Sequence, residues 1–414
     1  MKQIKRPAWL TRNVTAISWV SLLQDAASEM LYPIMPILLN SVLGAPAAII
    51  GAIEGAAEGA MAATKLASSW INRYIPRKWM VLFGYAGAAL GKVLIALSYV
   101  WPLVMVGRVV DRLGKGMRSA ARDAILVQKI DKSHRGRVIG FHRTADTTGA
   151  VVGPILALAM LAVFEDDIRP VLWIAVIPAV LSVLAVTLIQ DHEPHTRRMP
   201  KPQQNADGTK TAETKAHEDG QKLSPRLNRL IMLLSAFALF NFPDALLILH
   251  ISQIGFSVTD VVGIYLLFNI CYAALSLPMG MLADRMKPQH VYAIGLLCFA
   301  IAYAGLGLTR DSILTVILVA IYGGFAAAND VVGKSWVSKL AADHQQMKVQ
   351  ARLQGLSGFG ILIAGIWAGL TWNIDLSAWG LGEGAGTVPL LISGAIGLVA
   401  ALLISQFSTD TKTV

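Results

Sequence analysis

Apolar residues arrive in long blocks along this chain. Met80–Leu97, Val171–Ile189, Leu230–Ile251, Ile313–Ala328 and Val388–Ile404 are the clearest. A helix that crosses a bilayer core needs roughly 17–25 mostly apolar residues. A soluble domain could bury one or two such segments, and this chain has too many. Each block with its flanks predicts a membrane-spanning helix. The expected spans are 14–40, 45–72, 79–99, 102–127, 137–163, 170–190, 227–252, 257–283, 289–308, 312–340, 350–373 and 387–407. The predicted class is therefore all-α integral membrane, with twelve transmembrane helices. Residues 191–226 interrupt the series with a polar segment rich in Pro, Gln, Lys and Glu and without apolar periodicity, which reads as a flexible linker. The expected organisation is a six-helix half over 1–190, a cytoplasmic linker over 191–226 and a second six-helix half over 227–414.

Composition agrees. Hydrophobic residues make up 55% of the 414 residues and charged residues 15%, against roughly a quarter charged in ordinary soluble domains. The net charge of +10 would suit nucleic acid, but its distribution argues otherwise. Alternate polar connections collect Lys2, Lys5, Arg6 and Arg12, then Arg73, Arg77 and Lys78, then Lys129 to Arg137, and so on to Arg352. The opposite set holds little beyond Arg169 and Arg310. That asymmetry is the positive-inside bias, and it places both termini in the cytoplasm. Met1–Arg12 is basic, but the adjoining helix carries Asp25 and Glu29 and lacks a small-residue cleavage site, so no removable signal is expected. Cys271 and Cys298 sit in apolar segments and read as free thiols, and no His/Cys spacing suggests a metal.

One stretch breaks the apolar pattern. Residues 107–123, GRVVDRLGKGMRSAARD, carry Arg108, Asp111, Arg112, Lys115, Arg118, Arg122 and Asp123. At 100° per residue all seven fall within an arc of about 140°. Val106, Val109, Val110, Leu113, Met117, Ala120 and Ala124 occupy the opposite face. A solvated loop would not sort its charges in this way. Gly114-Lys115-Gly116 also lacks the spacing of a phosphate loop. The stretch is a helix charged on one face, partly at membrane depth, where charge must line water or meet a partner. Partners exist. Asp25 and Glu29 lie four apart on the first span, Glu54 and Glu58 four apart on the second, Lys92 on the third, and His142, Arg143 and Asp146 on the fifth. The second half offers Asp244, Asn329, Asp330 and Lys334.

Two readings of these groups compete. The plain one is an ion-pair network that holds helices together, and it fits Arg112, Arg118, Arg122 and Asp123 best. The functional one makes Asp25, Glu29, Glu54, Glu58 and Asp146 candidates for proton coupling, since a carboxylate at low dielectric can load and release a proton. It makes Arg108, Asp111, Lys115, Lys92, Arg143, Asp244, Asn329 and Asp330 candidates for substrate binding. Arg suits carboxylates and phosphates because its fork bonds bidentately. Lys92 reads first as a counter-ion. Asp244, after Asn241-Phe242-Pro243, marks a proline kink that could gate. His250 reads as an interfacial residue.

The halves also resemble each other. Asn72-Arg73-Tyr74-Ile75-Pro76 aligns with Asp284-Arg285-Met286-Lys287-Pro288, Leu43-Gly44 with Ile254-Gly255, Gly84 with Gly295, and Asp111…Lys115 with Asp330…Lys334. Two repeated halves with a site near mid-membrane between them are a transporter architecture. Gly280-Met-Leu-Ala-Asp284-Arg285-Met-Lys287-Pro288 resembles the loop signature of the major facilitator superfamily, and the resemblance runs along essentially the whole chain. It implies that Gly280 allows close helix approach and that Asp284 and Arg285 latch neighbouring helix ends. The first-half copy, with Asn72 and Arg73, has Asn for Asp, so a latch there is built differently. Gly149-Ala-Val-Val-Gly153-Pro154 looks like the G-x-x-x-G-P element of that superfamily's antiporters. The combination of Ile53-Glu54-Gly55-Ala-Ala-Glu58, Asp111-Arg-Leu-Gly-Lys-Gly-Met-Arg118 and Ala121-Arg122-Asp123-Ala is similar to a large bacterial branch of uncharacterised members.

The resulting expectation is a secondary active transporter of the bacterial inner membrane. It works by alternating access, is coupled to protons, moves a small organic solute and leans to export. It is a monomer, with no cofactor and no enzymatic activity, since no nucleophile–base or metal-protease motif is present. An organic-anion importer and a non-transporting sensor on the same fold are the alternatives.

Overall fold

A computed structural model describes residues 7, 9–72, 74–128, 130–131, 134–191, 223–341, 345–374 and 384–407. Most of the expected linker and Arg73 lie outside the described residues. The described residues are helical and contain no strand. The first half comprises α1 (Arg12–Leu31), α2 (Ala47–Ile71), α3 (Arg77–Ala96), α4 (Trp101–Leu126), α5 (Arg135–Val163) and α6 (Ile168–Val186). The second comprises α7 (Pro225–Phe237), α8 (Asp244–Gln253), α9 (Val258–Arg285), α10 (Pro288–Leu308), α11 (Ser312–Ala327), α12 (Lys334–Leu340), α13 (Gln346–Leu370) and α14 (Thr387–Ser405).

Helix starts follow local chemistry. Thr11, Ser224 and Asp311 each accept a backbone N–H of the first turn, and Ser257 and Asp260 form a reciprocal capping box at α9. Three expected spans are not continuous. After α1 the chain bends through Pro33 and Pro36 into a π-helical turn at Leu38–Val42. The seventh is split into α7 and α8 by residues 238–243, ending in Pro243, whose missing N–H suits a helix start. The tenth passes from α11 to α12 through a π-helical segment at Ala328–Gly333, a form of backbone frequent at functional sites.

Eight stretches are long and apolar enough to cross a membrane. The expectation of twelve crossings adds α1, α2 and α4, which carry the intramembrane charge, and the broken α7–α8 pair. Large apolar side chains such as Leu277, Ile313 and Leu370 face outward from the bundle at 71%, 72% and 71% exposure. That surface suits lipid, because acyl chains are as apolar as leucine.

In the first half α1 packs on α5 and α6, α3 on α4 and α6, and α2 on α4. In the second, α10 packs on α11 and α14, and α9 on α11. The halves meet along α2 with α13 and α5 with α9. Backbone approaches backbone where α2 meets α13: a Cβ on Gly365 would lie 2.5 Å from the Gly51 carbonyl oxygen. Only glycine tolerates that distance.

Candidate functional site

Between the halves lies a cavity of about 320 Å³. α1, α2, α9 and α13 contribute to its wall, with the break between α7 and α8, and α11 with its π-helical continuation. Four carboxylates line it: Glu54, Glu58, Asp244 and Asp330. Aromatic rings fill much of the rest, with Phe268 stacked on Tyr322 at 5.3 Å between centroids. Asn241, Asn269 and Asn329 add amides.

Most of the acidity is answered from behind the wall. Arg108 donates to both oxygens of Glu54 at 2.7 and 2.5 Å, and its guanidinium lies over the Tyr32 ring at 5.6 Å. Arg112 pairs with Glu58 at 3.3 Å. Lys334 pairs with Asp330, one turn back on its own helix, and Tyr272 donates to the same carboxylate at 3.0 Å. Asp244 differs. Its one hydrogen bond comes from the Tyr322 hydroxyl at 2.6 Å, and no cation pairs with it among the described residues.

The stripe on α4 thus turns into the first half, not into the cavity. Arg108, Asp111 and Arg118 are buried. Asp111 lies 3.6 Å from Lys92 and 4.0 Å from Arg108. Lys92 is 1% exposed and its ammonium has no hydrogen-bond partner beyond that longer contact. Arg118 reaches the Gly84 carbonyl at 3.1 Å and lies over Tyr85 at 4.4 Å, while Arg122 reaches the Ser21 hydroxyl at 3.1 Å. Four cations expected from sequence to bind substrate (Arg108, Lys115, Lys92 and Arg143) and Asp111 are therefore not among the residues that line the cavity. Asp244, Asn329 and Asp330 are.

The proton-coupling candidates separate into three settings. Glu54 and Glu58 form cavity wall and are paired. Glu29 accepts from the Tyr265 hydroxyl at 2.6 Å, a bond that crosses from α1 to α9 and so joins the halves. Asp25 faces α5 and has neither a hydrogen bond nor an ion pair among the described residues; its charged surroundings are Lys115, Asp146, Arg122 and Arg118. Asp146 also contacts His142 at 3.6 Å.

The motif residues have packing roles. A Cβ on Gly149 would lie 2.5 Å from the Leu22 carbonyl oxygen, and one on Gly153 2.6 Å from that of Ala26, so Gly149–Pro154 is the seam between α5 and α1. Asn72 ends α2, its N–H bonding to Ser68. Gly280 lies against Val331, and Arg285 ends α9 exposed. The Asp284 side chain lies outside the described residues.

Hydrogen bonds tie the bundle together at the end remote from the termini. Gln253 bonds Asn40 at 3.4 Å and Trp372 bonds Gln253 at 2.9 Å. Thr259 bonds Asp166 at 2.6 Å across the halves. His250 is fully buried there, not interfacial, with its two ring nitrogens 2.9 and 3.0 Å from the Ala385 and Leu306 carbonyls.

Comparison with known proteins settles the family. The profile described as Major Facilitator Superfamily matches residues 17–270 and 230–413. The chain belongs to the major facilitator superfamily. An uncharacterised MFS-type transporter of Methanocaldococcus jannaschii is 28% identical over 396 residues, covering 94% of each chain. A probable 4-methylmuconolactone transporter of Cupriavidus pinatubonensis is 26% identical over 115 residues, 27% of this chain and 25% of that one. Among solved structures, a mutant of the nucleoside transporter NupG superposes with a TM-score of 0.75 at 14% identity, over 95% of this chain and 98% of that one. A D-xylose-proton symporter superposes at 0.74 and 14%, over 98% and 99%. As a superfamily member the chain is a multi-pass membrane transporter of the secondary type. At such identities the structures speak for the fold alone.

The sequence did not point to the aromatic wall. Tyr32, Tyr272 and Tyr322 are scattered over three spans. Their one signal is position: tyrosines usually mark span ends, and these sit well inside.

Proposed function

We propose that this transporter moves a small organic solute through the central cavity by alternating access, with proton movement as the coupled flow and export as the working direction. The observation that carries the reading is the cavity itself. Residues of both halves build it, and four carboxylates line it.

Both termini are taken to lie in the cytoplasm of an inner membrane, on the strength of the basic connections. The end tied by those hydrogen bonds then faces outward and the conformation is inward-facing. The Glu29–Tyr265 bond and the α2–α13 backbone contact must part when the outer side opens. Asp25 is the leading proton carrier because it has no fixed partner, and its position on α1 against α5 lets its surroundings change as helices shift. Glu58 on the cavity wall is the second, since Arg112 holds it by one contact where Arg108 holds Glu54 by two. The anion-import alternative is weakened because the cations nearest the cavity are occupied by Glu54, Glu58 and Asp330.

The reading is tested in proteoliposomes carrying Asp25→Asn with Glu58→Gln. Solute movement driven by an imposed pH gradient should stop while the protein still folds. Movement that still follows the gradient would rule out coupling through these two groups.

A further inference from the structure

Four carboxylates face the cavity. Arg108, Arg112 and Lys334 each neutralise one of them, which leaves Asp244. Asp244 is thus the one lining carboxylate with no cation beside it among the described residues, in surroundings where an unmatched charge is costly.

A second, independent feature points the same way. Asn241, just before Pro243, also lines the cavity, and its side-chain oxygen is buried with no hydrogen-bond partner among the described residues. A buried acceptor without a donor is an unusual cost in a folded protein. Asn241 lies in the break and Asp244, three residues on, opens α8; both can accept further donors. Around them stand Tyr32, Phe268, Tyr322 and Phe325, whose π-faces attract cations.

We infer that Asp244 and Asn241 form the recognition site for the charged nitrogen of an organic cation, with the aromatic wall holding its apolar body. The ligand class is a small aryl-alkyl amine or amidine. The cation supplies the missing charge, its N–H groups satisfy both acceptors, and the ring packs on Phe268 and Tyr322. A cavity of about 320 Å³ lies at the small end of the roughly 300–1,000 Å³ usual for ligand sites, which suits one ring and a short chain. A carboxylate of the same shape would face Asp244 without a free cation to meet it. This inference rests on the reading that the cavity is the substrate site, and it adds the sign of the charge and the residues that read it.

The test uses the full-length protein in detergent with four probes: phenethylamine, benzamidine, 2-phenylethanol and 3-phenylpropionate. Thermal stabilisation should appear with the two cations, and neither the alcohol nor the acid should match it. Asp244→Asn should weaken cation binding by roughly tenfold or more, the scale of a lost charge-assisted hydrogen bond. Asp244→Glu should keep part of the binding, and Asn241→Ala should cost roughly fivefold. The unliganded melting temperature of each variant guards against misfolding, and Phe268→Leu, which leaves the acceptors in place, should cost a few-fold through the lost π-face.

Equal binding of phenethylamine to the wild type and a folded Asp244→Asn variant would overturn the inference. So would stabilisation by 3-phenylpropionate alone, or no response to either cation at about 10 mM. Proteoliposome flux separates this from the transport reading. Cation binding without gradient-driven flux would remove the transport reading and leave the site. Gradient-driven flux of a neutral or anionic solute with no cation binding would do the reverse.

Discussion

Gly365→Ala offers a sharp test of how the closed end is held. A Cβ at this position would sit 2.5 Å from the Gly51 carbonyl oxygen and 3.0 Å from the Gly51 carbonyl carbon, where ordinary contact begins near 3.4 Å. The overlap is about 0.9 Å against backbone, which cannot rotate away as a side chain would. Overpacking of this kind costs about 1–3 kcal/mol. Under the alternating-access proposal the contact exists only while the remote ends of α2 and α13 are together, so the cost falls on the closed state. The equilibrium should move toward opening at that end by roughly five- to 150-fold. The assay is labelling of a single cysteine at Asn40, with Cys271 and Cys298 replaced by alanine, using a membrane-impermeant maleimide added from that side. Labelling should accelerate in Gly365→Ala. A folded variant with an unchanged labelling rate would refute the view that this glycine pair governs closure.

The Glu54–Arg108 pair supports a stability prediction. Both side chains are nearly inaccessible, at 2% and 5% exposure, so Glu54→Gln leaves a buried guanidinium with only Asp111, 4.0 Å away, to answer its charge and should cost about 3–5 kcal/mol, read as a lower melting temperature in detergent. Glu54→Leu with Arg108→Met should recover most of that loss; equal damage in the single and double variants would mean the pair does not act as a unit. Asp111→Asn should destabilise similarly by stranding Lys92, and adding Lys92→Met should restore the melting temperature, with no recovery counting against a purely structural role for that pair.

Much of this arrangement was legible in the sequence, because membrane helices leave strong one-dimensional signals. Apolar blocks marked the stretches long and apolar enough to cross a membrane, and 100° periodicity gathered the α4 charges onto one face, of which the structure buries Arg108, Asp111 and Arg118 and leaves Asp123 exposed. The partner of each charge was not legible. Glu54 and Glu58 differ by one turn, and only the packing of α2 on α4 gives Arg108 to the first and Arg112 to the second. That assignment decides whether the cations face substrate, and it turns them away from the cavity. Pro243 announced a break in the seventh span, since proline lacks the N–H that a continuous helix needs. The π-helical turn at Ala328–Gly333 has no such marker. The aromatic wall depends on three spans meeting in space, so no local pattern could show it. His250 looked interfacial by its distance from the span end, yet the segment before α14 folds over it and supplies a backbone carbonyl.

The central claim is that the two halves enclose a solute site whose access alternates under a proton gradient. The most direct measurement is solute flux in proteoliposomes of the wild-type protein with the pH gradient imposed first in one direction and then in the other. A coupled secondary transporter must reverse its net flux when the gradient is reversed, and that is the expected result. Flux that ignores the sign of the gradient would contradict proton coupling. No carrier-mediated flux in either direction, from protein shown to be folded, would contradict the transport account itself.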